Sequence, residues 1–303
     1  MRPCKIGVYL PTYEREMDGV TPSWGEILAM ARRAEEIGLD SVWIADHLLI
    51  RRDDETTGPW AAFPLLAALA ASTTSIEIGP LVACALWWNP ALLAKTADTI
   101  DEISGGRLIL GLGAGSRPAE FSLFGYPDDR RVARFEEALQ IIAPLLREGR
   151  VDFQGRFYDA RDCELRPRGP RPNGPPLMVA GSGERMLRLA AQYADSWNTI
   201  YTLTGNSIER FAELNARVDA ACEAVGRDPA TLERTVSVYI QTAPYIPVTD
   251  WGTPPLSGTP EELAAALRAY ANLGVSHIQI GLEPQTLAGI DGLIPVLETL
   301  YRS

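Results

Sequence analysis

Two short stretches of this chain carry side chains able to do chemistry. Asp46 and His47 close the apolar run Ser-Val-Trp-Ile-Ala-Asp-His. A titratable pair directly after a buried strand is where an α/β barrel holds its catalytic groups. An imidazole that titrates near pH ~6.5 can donate or accept a proton at neutral pH. The same position also suits a histidine that only caps the strand end. The second stretch is Gly181-Ser182-Gly183-Glu184, set between the apolar run Pro-Leu-Met-Val-Ala and a helical run from Met186 to Tyr193. A glycine turn that opens a helix leaves backbone N–H groups free at the carboxyl end of the strand, and that geometry binds phosphate or another anion. Two glycines let the backbone approach such a ligand closely. A tight strand-to-helix turn with no ligand shows the same pattern.

Weaker signals surround these two. Gly111-Leu-Gly-Ala-Gly115 has the spacing of a dinucleotide fingerprint, but no helix begins at once and Ser116-Arg-Pro follows. A wall of small residues against which a flat ring can lie is the better reading. Trp87-Trp88-Asn89-Pro90 can shape an apolar pocket with Asn89 capping the next helix, or can pack under a neighbouring loop. His277 lies mid-strand, as a packed barrel residue would. Arg117, Glu120, Arg130, Arg131 and Arg134 follow the glycines in a polar stretch; some reach substrate or a cofactor tail, and most are expected to be solvated. The four cysteines, Cys4, Cys84, Cys163 and Cys222, are far apart, and there are two histidines, so neither a metal site nor a disulfide framework is indicated.

The elements that must position these groups alternate from end to end. Apolar runs at 4–10, 41–46, 76–84, 107–113, 176–180, 195–199, 234–241 and 275–282 read as parallel strands covered on both faces. Helical patterns lie between them at about 24–37, 60–73, 90–103, 134–148, 184–193, 207–225, 260–273 and 288–301. Ser23 with Glu26, and Thr259-Pro260 with Glu262, are capping boxes. Pro144, inside the stripe of Phe135, Ala138, Leu139, Ile142, Leu145 and Leu146, predicts a kink or an early stop. Eight strand–helix units in series predict a closed (β/α)8 TIM barrel, with residues 1–303 as a single domain. Non-periodic stretches at 48–59, 115–133, 150–175 and 242–258 read as insertions in its loops, and Arg166–Pro176 as a rigid surface connection.

The 303 residues are 46% hydrophobic, with a formal charge of −11. That balance disfavours nucleic acid and anionic membrane as partners, and means that an anionic cofactor must be held by local donors. No apolar run approaches the ~20 residues of a membrane span, and no secretory signal is evident at the start. A cytoplasmic protein acting on a small molecule is the expectation.

Taken in order, Ile6-Gly-Val-Tyr-Leu-Pro11, Ala34–Trp43, Ala45-Asp-His47, Asn89-Pro-Ala-Leu-Leu-Ala-Lys-Thr, Ile103–Gly115, Phe153–Tyr158 and Pro175–Gly183 through Asn198 resemble the bacterial luciferase-like flavin monooxygenase superfamily, in particular its branch of oxidoreductases that use the deazaflavin coenzyme F420. The resemblance implies a hydride transfer between F420 and a small organic substrate at the barrel mouth. It places Gly181, Ser182, Gly183 and Glu184 at the cofactor phosphate, Ala114 and Gly115 beside the cofactor chain, and Asp46 and His47 at the ring and the reacting substrate. It implies a cis peptide behind the ring, here around Gly79-Pro80-Leu81, so that Leu81 supports the cofactor. Trp87, Trp88 and Ser116 would wall the substrate, and the insertions at 115–133 and 242–258 would form a lid. Some sugar-oxidising relatives carry a glutamate where this chain has Ser116, which argues against that substrate class. Asp-His rather than Glu-His at strand two tilts the reading from FMN toward F420. A reduced-FMN monooxygenase and a non-catalytic flavin-binding barrel remain the alternatives. Family habit implies a homodimer.

Overall fold

Each of the eight apolar runs becomes a stave of a parallel barrel. The computed structural model describes residues 2–52, 55–243 and 252–302. The staves are β1 (Lys5–Tyr9), β2 (Ser41–Ile44), β5 (Glu77–Pro80) with β6 (Ala83–Cys84), β7 (Leu110–Gly113), β10 (Leu177–Ala180), β11 (Ser196–Ile200), β12 (Glu233–Gln241) and β13 (Val275–Glu283). They hydrogen-bond in the order β5-β2-β1-β13-β12-β11-β10-β7-β6. β5 and β6 are two halves of one stave, interrupted at the cis Leu81–Val82 peptide. The cis bond therefore lies one residue beyond the expected Gly79-Pro80-Leu81. The barrel closes where Ile78 of β5 pairs with the approach to β7, through Ile78 N–H to Arg107 O at 3.0 Å and Ile109 N–H to Ile78 O at 2.9 Å.

Helices α1 (Trp24–Glu36), α2 (Ala62–Ser72), α3 (Pro90–Ser104), α5 (Arg131–Glu148), α6 (Glu184–Tyr193), α8 (Ile208–Ala224), α9 (Pro260–Asn272) and the pair α10 (Leu287–Gly292) and α11 (Ile294–Tyr301) wrap the barrel, and a single turn, α7 (Tyr201–Thr204), follows β11. Both capping boxes form. The last helical pattern divides at Leu293, where Gly292 and Pro295 both disfavour continuation. Pro144 does not stop α5, which runs on to Glu148. Ile141, Ile142, Leu145 and Leu146 are all buried around it. Burying four such side chains contributes several kcal/mol, enough to outweigh the ~3 kcal/mol cost of an internal proline.

Three insertions contain structure that apolar periodicity did not signal. Residues 48–59 hold the hairpin β3 (Ile50–Arg52) and β4 (Glu55–Thr57); 115–133 hold α4 (Pro118–Leu123); 150–175 hold the hairpin β8 (Arg150–Gln154) and β9 (Asp159–Glu164). The connection after β9 is docked: Asp101 of α3, fully buried, takes the Arg171 guanidinium on both oxygens. Residues 244–251, the middle of the expected 242–258 lid, lie outside the described residues. Among the described residues, no helix is long and apolar enough to cross a membrane.

The barrel interior is plugged below its mouth by Trp43, Leu81, Ile109 and Met178. Glycines make room for the indole: a Cβ on Gly7 would lie 2.7 Å from Trp43 Nε1, and one on Gly79 would lie 2.6 Å from its ring. The indole N–H donates to Ser41 Oγ at 2.7 Å, and Ser41 Oγ lies 2.7 Å from His277 Nε2. Ser41 Oγ therefore links the Trp43 indole to His277 Nε2 in one buried chain. Burial, helped by Lys5, pushes His277 down to about 3, so the ring is neutral.

Candidate active site

A cavity of about 370 Å³, open to solvent, occupies the carboxyl-terminal mouth of the barrel. The staves deliver its walls in turn: Tyr9 from β1, Asp46 and His47 after β2, Leu81 to Cys84 across the split stave, Gly113 to Ser116 after β7, Ala180 and Gly181 after β10, and Asn198 to Ile200 from β11. This is the face on which (β/α)8 enzymes keep their chemistry.

The decisive side chain here is one that the sequence hid. Glu120, on the short helix α4, is 1% exposed. Its Oε2 lies 2.9 Å from His47 Nδ1, and its Oε1 accepts the Leu48 and Leu49 N–H groups at 2.7 and 3.2 Å. Burial pushes this carboxyl up, but the His47 hydrogen bond and charge and the two backbone donors outweigh it and hold it below the usual range. Glu120 is therefore ionised and accepts only. It fixes the His47 proton on Nδ1 and leaves Nε2 as the basic nitrogen, in a ring that lines the cavity. Glu120 was expected among mostly solvated residues. Pro118 at the start of α4 and the acid two positions on mark a helix start, but nothing local points 73 residues back to His47.

Asp46, beside His47, accepts the Cys84 N–H at 3.0 Å. Burial pushes its carboxyl up to about 6 against that hydrogen bond. It can donate as well as accept near neutral pH. Cys84 itself is pushed up to about 12 by burial and stays a thiol.

The other expected residues divide. Leu81, Trp87, Ala114, Gly115, Ser116 and Gly181 all line the cavity. Trp88 does not: its ring packs on Phe63 of α2 with centroids 4.6 Å apart, because the two adjacent indoles leave the chain on opposite sides. Ser182, Gly183 and Glu184 also fall outside the lining; Gly183 and Glu184 are exposed, and Ser182 O accepts from Arg217 at 2.9 Å. The cavity nevertheless abuts the first turn of α6, since Met186 lines it. Gly183 caps that helix with no side chain, so the first N–H groups of α6 have no capping partner.

Three observations test whether a flavin-like group with a phosphate fits. A Cβ on Gly183 would meet nothing within 4 Å, so the space above the helix start is free. A Cβ on Gly115, which has φ +77°, would meet Phe121 at 2.6 Å and Cys84 Sγ at 3.0 Å, so this wall is held at its thinnest. Trp87 and Thr199 belong to the lining, and just behind its surface Trp87 Nε1 and Thr199 Oγ1 are buried with no hydrogen-bond partner among the described residues. Buried polar groups of this kind are normally satisfied. The residues present fit such a group.

Comparisons with known proteins agree with this architecture. The family model for luciferase-like monooxygenases matches residues 4–246. An F420-dependent glucose-6-phosphate dehydrogenase of Amycolatopsis mediterranei is 30% identical over 71% of this chain and 64% of its own length. One of the same name from Beutenbergia cavernae is 38% identical over 91% of this chain and 78% of its own. A pyrimidine monooxygenase RutA of Agrobacterium fabrum is 31% identical over 77% of this chain and 66% of its own. Among solved structures, an F420-dependent secondary alcohol dehydrogenase in complex with an F420-acetone adduct superposes with a TM-score of 0.80 at 21% identity, covering 98% of this chain and 99% of that one. The barrel, its glycine-walled mouth and the match over residues 4–246 lead to one conclusion: the chain belongs to the luciferase-like monooxygenase family.

Proposed function

We propose that this chain is an oxidoreductase that uses coenzyme F420 to move a hydride to or from a small organic substrate, as a single (β/α)8 domain over residues 1–303. The observation that carries the reading is the Glu120–His47 pair, at 2.9 Å, facing a cavity that ends at the uncapped start of α6. The relatives named for F420-dependent dehydrogenases support the cofactor. When bound, the deazaflavin supplies the site that accepts or returns the hydride.

The protein's own contribution is positional and acid–base. Ala114 and Gly115 would flank the cofactor chain, Leu81 would support the ring, and Gly181, Ser182, Gly183 and Glu184 would border its phosphate with the α6 N–H groups. In the oxidative direction a carbinol carbon gives up its hydrogen with two electrons, and the hydroxyl proton passes to His47 Nε2. The imidazolium so formed is stabilised by ionised Glu120. In the reductive direction the same proton returns to the carbonyl oxygen. Asp46 would hydrogen-bond the ring in either its protonated or its ionised form. The homodimer and cytoplasmic location implied by the family belong to the same reading.

A second reading has specific support: the RutA relative and the family model favour a reduced-FMN monooxygenase. Equilibrium binding of F420 and of FMN to the purified protein, read by each cofactor's own fluorescence, separates the two. Tighter F420 binding is expected. Tighter FMN binding with oxygen consumption would move the assignment, and binding without redox exchange would mark a non-catalytic barrel.

A further inference from the structure

The cavity's charges and polar groups also say which molecules can share it with a cofactor. Its lining contains two carboxylates, Asp46 and Glu120, and one guanidinium, Arg131. Arg131 is already engaged: Nη1 donates to Gly115 O at 3.2 Å, Nε lies 3.2 Å from Asp128 Oδ1, and the group sits 5.6 Å over the Phe121 ring. Arg117, next to Ser116 in sequence, is not in the lining. Two further acids lie after β1 and at the end of β13, outside the lining. Glu16 takes the Thr12 and Tyr13 N–H groups at 2.5 and 2.8 Å, and Glu283 takes the Tyr239 hydroxyl at 2.7 Å. The internal segments outside the described residues, 53–54 and 244–251, contain no lysine or arginine.

An anionic substrate would therefore lose its hydration beside ionised Glu120 and meet one guanidinium in the lining, already paired with Asp128. The remaining lining is apolar: Val82, Val132, Met186, Ile200 and Leu203. Leu203, 53% exposed, presents an aliphatic side chain at the rim. The two unpartnered groups buried behind this lining, Trp87 Nε1–H and Thr199 Oγ1–H, are neutral and add no cation to it.

Building on the hydride-transfer reading, we propose that the substrate is an uncharged alcohol or carbonyl compound with an apolar body, and that the site rejects phosphorylated and carboxylated molecules. Oxidation of such an alcohol releases the carbinol hydride to the deazaflavin and the hydroxyl proton to His47, and reduction of the ketone reverses both. Nothing beyond the cofactor is consumed.

The test has two separate arms. F420 binding, followed by the fluorescence of F420 itself, examines the cofactor reading alone. Substrate class is examined without cofactor by titrating the full-length protein with cyclohexanone, cyclohexanol and glucose 6-phosphate while recording tryptophan fluorescence, to which Trp87 contributes from the cavity wall. Turnover of cyclohexanol and of glucose 6-phosphate with F420 is then compared. The cyclohexyl probes are expected to bind, and to turn over, ~10²-fold more favourably than glucose 6-phosphate. In Leu203→Lys, which places a cation at the rim of the same cavity, that preference is expected to shrink at least ~10-fold. Glucose 6-phosphate binding as tightly as the cyclohexyl probes would overturn the proposal, whatever the F420 arm shows, and so would binding of none of the three. Failure of F420 to bind while the cyclohexyl probes bind and glucose 6-phosphate does not would overturn the cofactor reading and leave the substrate class supported.

Discussion

Replacing Glu120 by Gln should move one proton from one side of an imidazole to the other. In the native protein a carboxylate oxygen 2.9 Å from His47 Nδ1 accepts its N–H. Such a charge-assisted bond stabilises the Nδ1–H form by about 1.5–3 kcal/mol. At 1.4 kcal/mol per factor of ten, that form makes up more than ~90% of the neutral ring. The glutamine cannot choose its orientation freely. Its oxygen is required where Oε1 now takes the Leu48 and Leu49 N–H groups at 2.7 and 3.2 Å. A flipped amide would set an NH2 against two N–H donors and lose both bonds, at about 1 kcal/mol or more each. The NH2 therefore faces His47 Nδ1, which must become the acceptor, and the ring proton moves to Nε2. Long-range 1H–15N correlation spectra of protein labelled in its histidines, at pH 8, report this directly. The chain has two histidines, and His277, held by Ser41, is the internal reference whose pattern should be the same in both proteins. With Nε2 protonated the base is lost, and turnover should fall ~10²–10⁴-fold, as when other catalytic histidines are held in the wrong tautomer. His47 still protonated on Nδ1 in a variant with an unchanged urea midpoint would refute the reasoning.

Three further outcomes follow from the same geometry. Asp46 is pushed up to about 6, so the folded state prefers the neutral acid; the resulting cost is absent below the unfolded value near 4 and grows as pH rises through 6. Asp46→Asn should therefore raise stability to urea by about 1–2 kcal/mol at pH 8 and leave it unchanged at pH 4; equal effects at both would discard the burial account. His277 is depressed to about 3, so its contribution is complete above the ordinary histidine range and is lost as pH falls from ~6.5 toward 3. About 4 kcal/mol should disappear over that window in the native protein and not in His277→Gln, measured as urea midpoints against pH. Gly183→Ala meets open space at φ −74°, so its melting temperature should hold or rise slightly, while F420 affinity should drop ~10-fold or more if the methyl stands in the proposed phosphate cradle. Unchanged F420 affinity would move the phosphate elsewhere.

The barrel was legible because parallel staves are apolar on both faces. β10 and α6 begin and end within a residue of where the apolar run, the glycine turn and the helical stripe put them. The two hairpins were not legible. β8 alternates exposed and half-buried residues over only five positions, and β3 and β4 have three residues each, too short for a period to show. Asp46, His47 and Gly115 were found because strand ends and glycine walls leave local marks. Glu120 was missed because its meaning lies in a partner 73 residues away. The same physics separated Trp87 from Trp88: adjacent residues after a strand leave the chain in different directions, and composition does not say which one meets the cavity.

The strap from α4 to His47 bears on how this barrel can change its specificity. Loops on the carboxyl-terminal face are the interchangeable parts of such a fold, and the 115–133 loop is a natural one to exchange. Here that loop also carries the group that sets the proton on the base. A transplant that keeps the staves but replaces this loop would keep a well-formed pocket and silence its chemistry, unless the incoming loop brings a carboxylate to the same spot. Modularity at this mouth is therefore partial: this loop can vary only together with His47 and with the Leu48–Leu49 backbone that holds the same carboxylate.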